Sequence, residues 1–463
     1  MRQIPSKCTA HRIPFMNSLA IEQNVSDWTR SFATHIEVVK QRAAAALAAT
    51  GYESLLLHAG TPPPLFMDDQ YLPFRAQAPF KAWAPLGDAP DSFVFFTPGR
   101  MPRLLIHQPS DYWHKSPELP RDYWTDAFDI VSCADRAGSR AALPKDLSRT
   151  AFIGAPFKEL MSWGPATINP EHLVAQLDYG RAAKTPYEIA CLREANVRGA
   201  RGHVAAEKAF RAGGSEFEIA LAFMAACGLR ECELPYNPIV ALNEGGAVLH
   251  YQVQQRTSPA KLHSLLIDAG AEFGGYASDI TRTHSYADAE FAEIIRRFDA
   301  LQLALCAQVR AGLDWRDFHA ASHRAISEFL REIGVIDVGA DVAVDSGLTS
   351  VFYPHGIGHL LGLQVHDVGG LQREPGGGVI ERPHNHPFLR LTRKLEDGFV
   401  VTVEPGFYFI DQLLEGARAK PPLGRMIDWK RVEQLKPFGG VRIEDDVVAR
   451  PNGHENLTRP AFG

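Results

Sequence analysis

Four carboxylates and one imidazole stand in short phrases spread over roughly the last two hundred residues. Asp268 lies in Leu266-Ile-Asp-Ala-Gly270, and Asp279 in Ser278-Asp-Ile-Thr-Arg-Thr283. His359 ends His355-Gly-Ile-Gly-His359, with His366 seven residues on. Glu404 sits in Val403-Glu-Pro-Gly406 and Glu444 in Arg442-Ile-Glu-Asp445. Four carboxylates and an imidazole suit a pair of hard or borderline divalent ions. Two such ions sharing a bridging water give hydroxide at neutral pH, and the chemistry that follows is hydrolysis. The charges agree: about −4 from the carboxylates, +4 from two ions and −1 from hydroxide. Without ions, four clustered carboxylates would repel strongly in a low dielectric.

The elements that carry these groups can be read locally. Asp268 and Asp279 flank Glu272-Phe-Gly-Gly275, a hairpin turn. A two-residue loop at 273 and 274 would set them face to face, with Cβ atoms about 5 Å apart. Thr281 and Thr283 share a strand face with Asp279 and can hydrogen-bond to the ligands. Two aspartates beside a turn are also common without any metal. His355, His359 and His366 have helical spacing, but Gly356, Gly358 and Gly362 disfavour a helix, and the glutamate of a His-Glu-x-x-His zinc helix is missing. A glycine-rich turn entering a strand fits better. A single histidine is usually structural; three among glycines favour function. Glu404 follows the apolar run Phe399-Val-Val-Thr-Val403, and Glu444 sits within Val441-Arg-Ile-Glu-Asp-Asp-Val-Val448. A carboxylate in a buried strand is expensive unless paired. Glu444 has Arg442 at hand, whereas Glu404 has no local cation.

A chain of 463 residues is too long for one ordinary core, so two domains are expected. A 45% hydrophobic, 22% charged composition is globular, and a net charge of −6 gives no reason for a nucleic-acid or membrane partner. No run approaches the ~20 apolar residues that span a bilayer, and no apolar stretch follows the early basic residues as a secretory signal requires. The six cysteines include no Cys-x-x-Cys pair and read as reduced thiols of a cytoplasmic protein. Residues 1–25 read as a disordered extension, which mass spectrometry of the native N-terminus would define. Residues 26–180 read as an α/β domain, with buried strands at 54–58, 93–96, 103–107 and 150–153. Thr185-Pro-Tyr-Glu188 and Ser215-Glu-Phe-Glu218 are capping boxes that open two helices. Further helices are expected near 291–310 and 315–332, so residues 181–463 form a mixed α+β domain with its ligands on strands and loops.

These phrases resemble the pita-bread metallopeptidases, the creatinase/aminopeptidase-like clan. Within it the chain is most similar to bacterial Xaa-Pro dipeptidases (prolidases) and the related organophosphorus acid anhydrolases. The resemblance runs from about residue 25 to the end. It includes Phe66-Met-Asp-Asp69, Phe80-Lys-Ala-Trp83, Asp111-Tyr-Trp-His114, Tyr236-Asn-Pro-Ile-Val-Ala-Leu-Asn-Glu244, Val248-Leu-His-Tyr251, His355 through Asp367, Glu404-Pro-Gly-Phe-Tyr-Phe409 and Gly439-Gly-Val-Arg-Ile-Glu444. It implies an α/β N-terminal domain and a pita-bread catalytic domain. It implies Asp268, Asp279, His359, Glu404 and Glu444 as ligands of two divalent ions, usually manganese. His355 and His366 then match residues that contact substrate or transition state, with Glu404 also the proton shuttle. His250 and Arg442 match residues that hold a dipeptide's terminal carboxylate, and Tyr236 a pocket-lining tyrosine. Asp69 matches an acidic residue contributed by the neighbouring subunit of a homodimer. His284 departs from the usual aromatic or apolar residue and by strand alternation points away from the metals. The implied reaction is hydrolysis of dipeptides with C-terminal proline, with organophosphorus esters as a side activity. The rival readings are an aminopeptidase acting on longer Xaa-Pro peptides and a non-enzymatic binding protein, which would be expected to have lost ligands. The glycine-rich loop 374–386 carries no assignment and reads as a rim or a solvated connection.

Overall fold

The computed structural model describes residues 18–463 except His114, with side chains from Asp27 onward. The part of the expected N-terminal extension before Ser18 lies outside the described residues. A helix over Ser18–Thr50 stops at Gly51, whose φ of +80° is left-handed. A six-stranded sheet follows. It is built from β1 (Ser54–His58), β2 (Phe93–Phe96), β3 (Arg103–His107), β4 (Asp129–Cys133), β5 (Thr150–Ile153) and β6 (Thr167–Ile168) in the order β4-β3-β2-β1-β5-β6. The apolar runs become its central strands. Strands β4 and β6, absent from the sequence reading, are edge strands; β4 is half exposed and too polar to stand out from a loop.

Thr185 and Ser215 cap helices Pro186–Arg211 and Glu216–Cys227, each with the reciprocal glutamate bond that defines a capping box. Beyond them lie two half-sheets. The first joins β7 (Ile239–Leu242), β8 (Ser264–Asp268) and β11 (Thr281–Ser285) in the order β11-β8-β7, and a small hairpin of β9 (Glu272–Phe273) and β10 (Tyr276–Ala277) connects β8 to β11. A second hairpin, β12 (Gln372–Glu374) with β13 (Gly377–Val379), occupies the start of the 374–386 loop. The other half-sheet holds β14 (Val400–Val403), β17 (Asp445–Arg450) and β18 (Gly453–Asn456), and a ribbon pairs β15 (Gly406–Tyr408) with β16 (Gly440–Arg442). A bridge between Thr281 and Glu444, with Glu444 N–H donating to the Thr281 carbonyl at 3.1 Å, joins the halves. Helices Ala289–Cys306 and Trp315–Glu332 pack outside, the latter burying Trp315, Phe318, His319, Ser322, His323, Ile326, Phe329 and Leu330 along one stripe.

The domains share a core. Leu55, Phe80 and Trp83 from the first cluster with Tyr187, Tyr276, Leu361, Leu363 and Val400 from the second. Lys81 reinforces the junction, its Nζ lying 3.2 Å from both Glu272 Oε2 and the Gly275 carbonyl.

His203, fully buried in the helix Pro186–Arg211, lies with Nε2 3.0 Å from the Ala269 carbonyl, one residue past Asp268. Burial first, and Arg282 second, push its pKa down to about 3. The unfolded chain takes up this proton below about pH 6.5 while the folded one does not. Its contribution to stability is therefore complete above pH 6.5 and is lost as pH falls toward 3, at about 1.4 kcal/mol per pH unit. His203→Gln should flatten the acid side of a pH series of urea midpoints. Equal slopes for variant and parent would refute this.

Candidate metal centre

The hairpin after β8 sets the spacing of the two aspartates. Gly274 and Gly275 have φ of +58° and +90°, the left-handed pair that a two-residue turn of this hand requires. The loop is therefore 274–275, one residue later than the sequence suggested. Asp268 consequently faces Thr281 across the ladder rather than Asp279, and the aspartates sit diagonally on one face. The Tyr236 hydroxyl lies 2.8 Å from Asp268 Oδ1 and 2.6 Å from Asp279 Oδ1. Burial and the nearby carboxylates hold its pKa far above the ordinary value, so the hydroxyl keeps its proton and donates.

The histidine phrase is neither helix nor regular strand. It runs antiparallel beside β14: Thr402 N–H donates to the His359 carbonyl at 3.0 Å, and Glu404 N–H to Ile357 at 2.9 Å. This pairing sets His359 Nε2 3.5 Å from Glu404 Oε1 and 3.5 Å from Asp279 Oδ2. Its Nδ1 hydrogen-bonds to the Leu360 carbonyl at 3.0 Å, which leaves Nε2 as the nitrogen available to a metal ion. Thr281 Oγ1 donates to Glu444 Oε2 at 2.6 Å. Asp279, His359 and Glu444 each offer a ligand atom within 4.8 Å of the others. All five candidate ligands line one cleft of about 1210 Å³, together with Tyr236, His250, His355, His366 and Arg442. Asp69 does not; it sits on an exposed loop of the first domain, away from its own chain's cleft. His284 points away, its Nδ1 3.3 Å from Glu207 Oε1.

The electrostatics fit a cation-binding site. Burial raises the pKa values of Asp268 and Glu444, and neighbouring carboxylates add to the rise. Burial pushes Glu404 up to about 7 against the opposing pull of His359. Burial disfavours a charged His359, yet the hydrogen bond and charge of Asp279 with the charge of Glu404 prevail and push it up to about 9. Such a cluster resists carrying its full charge without cations. Its oxygen-rich donor set with one imidazole is what hard and borderline divalent ions take.

Arg442 supplies the one fixed cation that touches the cluster among the described residues. Three of its five N–H donors are engaged: Nη2 with Asp268 Oδ2 at 2.8 Å, Nη1 with the Tyr408 hydroxyl at 3.0 Å and Nε with Thr281 Oγ1 at 3.3 Å. Glu444 is therefore not paired with Arg442. His355 is fixed by the Gly356 carbonyl at Nδ1 and by Tyr408 at Nε2, each 2.8 Å away, and burial and Arg442 push its pKa down to about 3. The His366 ring stands 4.4 Å from that of His359, and burial and His359 push it down to about 4. Two residues escaped the sequence reading. Tyr408 lies in the run Glu404-Pro-Gly-Phe-Tyr-Phe409 with nothing local to mark it, and Arg390 lies in a loop with no periodicity. Arg390 lines the cleft, is exposed and forms no salt bridge or hydrogen bond among the described residues.

Two half-sheets that bury an oxygen-rich ligand cluster at their junction define the class: this is a metallopeptidase of the pita-bread type. Residues 30–179 match the family described as Xaa-Pro dipeptidase, N-terminal domain, and residues 190–451 match metallopeptidase family M24. The Xaa-Pro dipeptidases of Stenotrophomonas maltophilia (strain K279a) and Xanthomonas axonopodis pv. citri (strain 306) are 47% and 46% identical to the chain over 432 residues, covering 93% of it and 97% of each relative. The chain belongs to the Xaa-Pro dipeptidase family within the M24 metallopeptidases. Aminopeptidase P from Escherichia coli, solved with the inhibitor Pro-Leu, has the same fold, with a TM-score of 0.69 at 22% identity over 92% of this chain and 95% of that one.

Proposed function

We propose that the chain hydrolyses dipeptides with C-terminal proline, with two divalent ions, most simply manganese, held by Asp268, Asp279, His359, Glu404 and Glu444. The observation that carries this reading is the cleft itself, with an acidic cluster at one point and an unpaired arginine, Arg390, on its wall. The relatives named Xaa-Pro dipeptidase support it. When bound, the ions supply Lewis acidity that lowers the pKa of water toward neutrality. Glu404 accepts the proton of the attacking water and delivers it to the departing proline nitrogen. His366 donates to the carbonyl oxygen as charge develops there. His355, held by Tyr408 and by the Gly356 carbonyl, faces the cleft to support the substrate or intermediate. Tyr236 and Arg442 hold the aspartates in place.

The substrate's terminal carboxylate needs a cation with free donors. Arg442 spends three of its five donors on Asp268, Tyr408 and Thr281, whereas the Arg390 side chain is unpaired, so this role falls first to Arg390, with His250 and Arg442 lining the same cleft. An arginine can meet a carboxylate through two parallel hydrogen bonds, and a longer peptide offers no carboxylate at that distance. Arg390→Ala should raise KM for a Xaa-Pro dipeptide about 10- to 100-fold with little change in kcat, the size of a lost charge-assisted hydrogen bond. It should leave an amidated dipeptide unaffected. An equal effect on both would assign Arg390 another role.

The chain is proposed to act as a homodimer in which Asp69 reaches the neighbouring cleft. Asp69 sits beside Phe66 and Met67, whose 92% and 90% exposure suits a surface that becomes covered. The five described cysteines are free, which fits a reducing, cytoplasmic setting. The deciding experiment is a panel of Xaa-Pro, Xaa-Ala and Xaa-Pro-Xaa peptides, assayed before chelation, after it and after manganese is restored. Turnover of Xaa-Pro alone, lost and regained with the metal, is expected. Equal rates on tripeptides would favour the aminopeptidase reading, and activity indifferent to chelation would remove the metal.

A further inference from the structure

The helix Trp315–Glu332 presents His319 and His323, one turn apart, on its buried face. A third imidazole, His386, descends on them from the end of the glycine-rich loop. Ring centroids lie 4.6 Å apart for His319 and His323, 4.4 Å for His319 and His386, and 4.5 Å for His323 and His386. One nitrogen from each ring lies within 4.8 Å of the other two. His319 and His323 are 1% and 2% exposed. Nδ1 of His319 and Nε2 of His323 are buried without a hydrogen-bond partner.

Buried polar atoms are rarely left unpartnered, and each such case asks for an explanation. No carboxylate pairs with these rings among the described residues, so nothing nearby favours their protonation. Burial pushes His319 down to about 2 and His323 to about 3, and lowers His386 as well. The rings are therefore neutral, the form that binds metal. Three nitrogens without oxygen donors select differently from the acidic cleft. They suit zinc and its neighbours rather than manganese or magnesium.

We propose that His319, His323 and His386 form a separate metal site that takes a zinc-class divalent ion, with the fourth position left to water. Zinc–nitrogen bonds of about 2.0–2.1 Å bring tetrahedral ligands closer together than the rings now stand. His386, half-buried and on a loop, supplies the movement. The site would pin that loop to the helix. Leu389 N–H donates to the His386 carbonyl at 3.3 Å, and Phe388 and Arg390 just beyond line the cleft. An ion held by the three histidines would thus fix the wall that carries Arg390, a consequence that rests on the substrate reading above.

The test is metal counting on the purified full-length chain, dialysed against graded free Zn2+. The parent should retain one ion per chain more than His386→Ala or His323→Phe. Asp279→Asn, which damages the acidic cleft, should keep this additional ion. The comparison holds whatever number the acidic cleft takes, so failure here is distinguishable from failure of the dinuclear reading. Equal counts for parent and His386→Ala would overturn the proposal. His386 lies on a loop, so that variant carries the test even if the helix variant does not fold. Zn2+ should also protect the 374–386 segment from limited proteolysis in the parent and not in His386→Ala. Unchanged cleavage would overturn the pinning of the loop.

Discussion

Glu404→Gln is expected to lower kcat on a Xaa-Pro dipeptide by about 10³- to 10⁴-fold, the upper range for loss of a positioned proton-transfer group. The substitution keeps the shape and the Thr402 Oγ1 contact, now 3.3 Å from Glu404 Oε1. It removes the carboxylate's charge and its capacity to take a proton. Glu404 is proposed both as ligand and as shuttle, so metal content must be measured on the same sample. Two ions retained with turnover lost would isolate the shuttle role. An active variant would remove that role altogether.

Gly270→Ala is expected to lower the rate about 10²-fold although no candidate ligand changes. Gly270 lies opposite Asp279 in the hairpin that joins the two aspartates, and a methyl group there would land on the Ser278 carbonyl oxygen and crowd the Tyr236 ring. Both neighbours are fixed: Ser278 by the Ala195 carbonyl and Ala271 N–H, Tyr236 by the aspartates. Crowding of this kind costs typically 1–3 kcal/mol. Relief requires moving Asp279 relative to Asp268, and a displacement near 1 Å can cost about 10²-fold in rate. The midpoint of unfolding and the affinity for Mn2+ should fall together. A variant with normal metal affinity would show that the diagonal placement tolerates slack.

The two glutamates of the candidate site were legible because they broke a local rule. A glutamate ending Val400–Val403, and another among Val441, Ile443 and Val447, make no sense in a buried strand without a cation. The central strands and both capping boxes were legible for the opposite reason, since they obeyed local rules of apolar runs and reciprocal bonds. What escaped depended on position or on distant partners. The turn at 274–275 differs from 273–274 by one residue, and only the left-handed glycine pair decides between them. The bond from Arg442 Nη2 to Asp268, 174 positions earlier in the chain, has no local signal and only folding makes it. Arg390 and the His319–His323 pair carried no phrase of their own: one is in an irregular loop, and the other is spaced like any core stripe.

The shared apolar cluster that unites Leu55, Phe80 and Trp83 with Tyr187, Tyr276 and Leu363 has an evolutionary consequence. The first domain is not a detachable accessory. Deleting it, or exchanging it by recombination for an unrelated module, would bare a greasy aromatic wall on the remaining half. It would also take away the Lys81 brace on the turn that spaces the two aspartates. Lineages that shuffle this catalytic half into new contexts must therefore carry its companion along or invent a substitute lining.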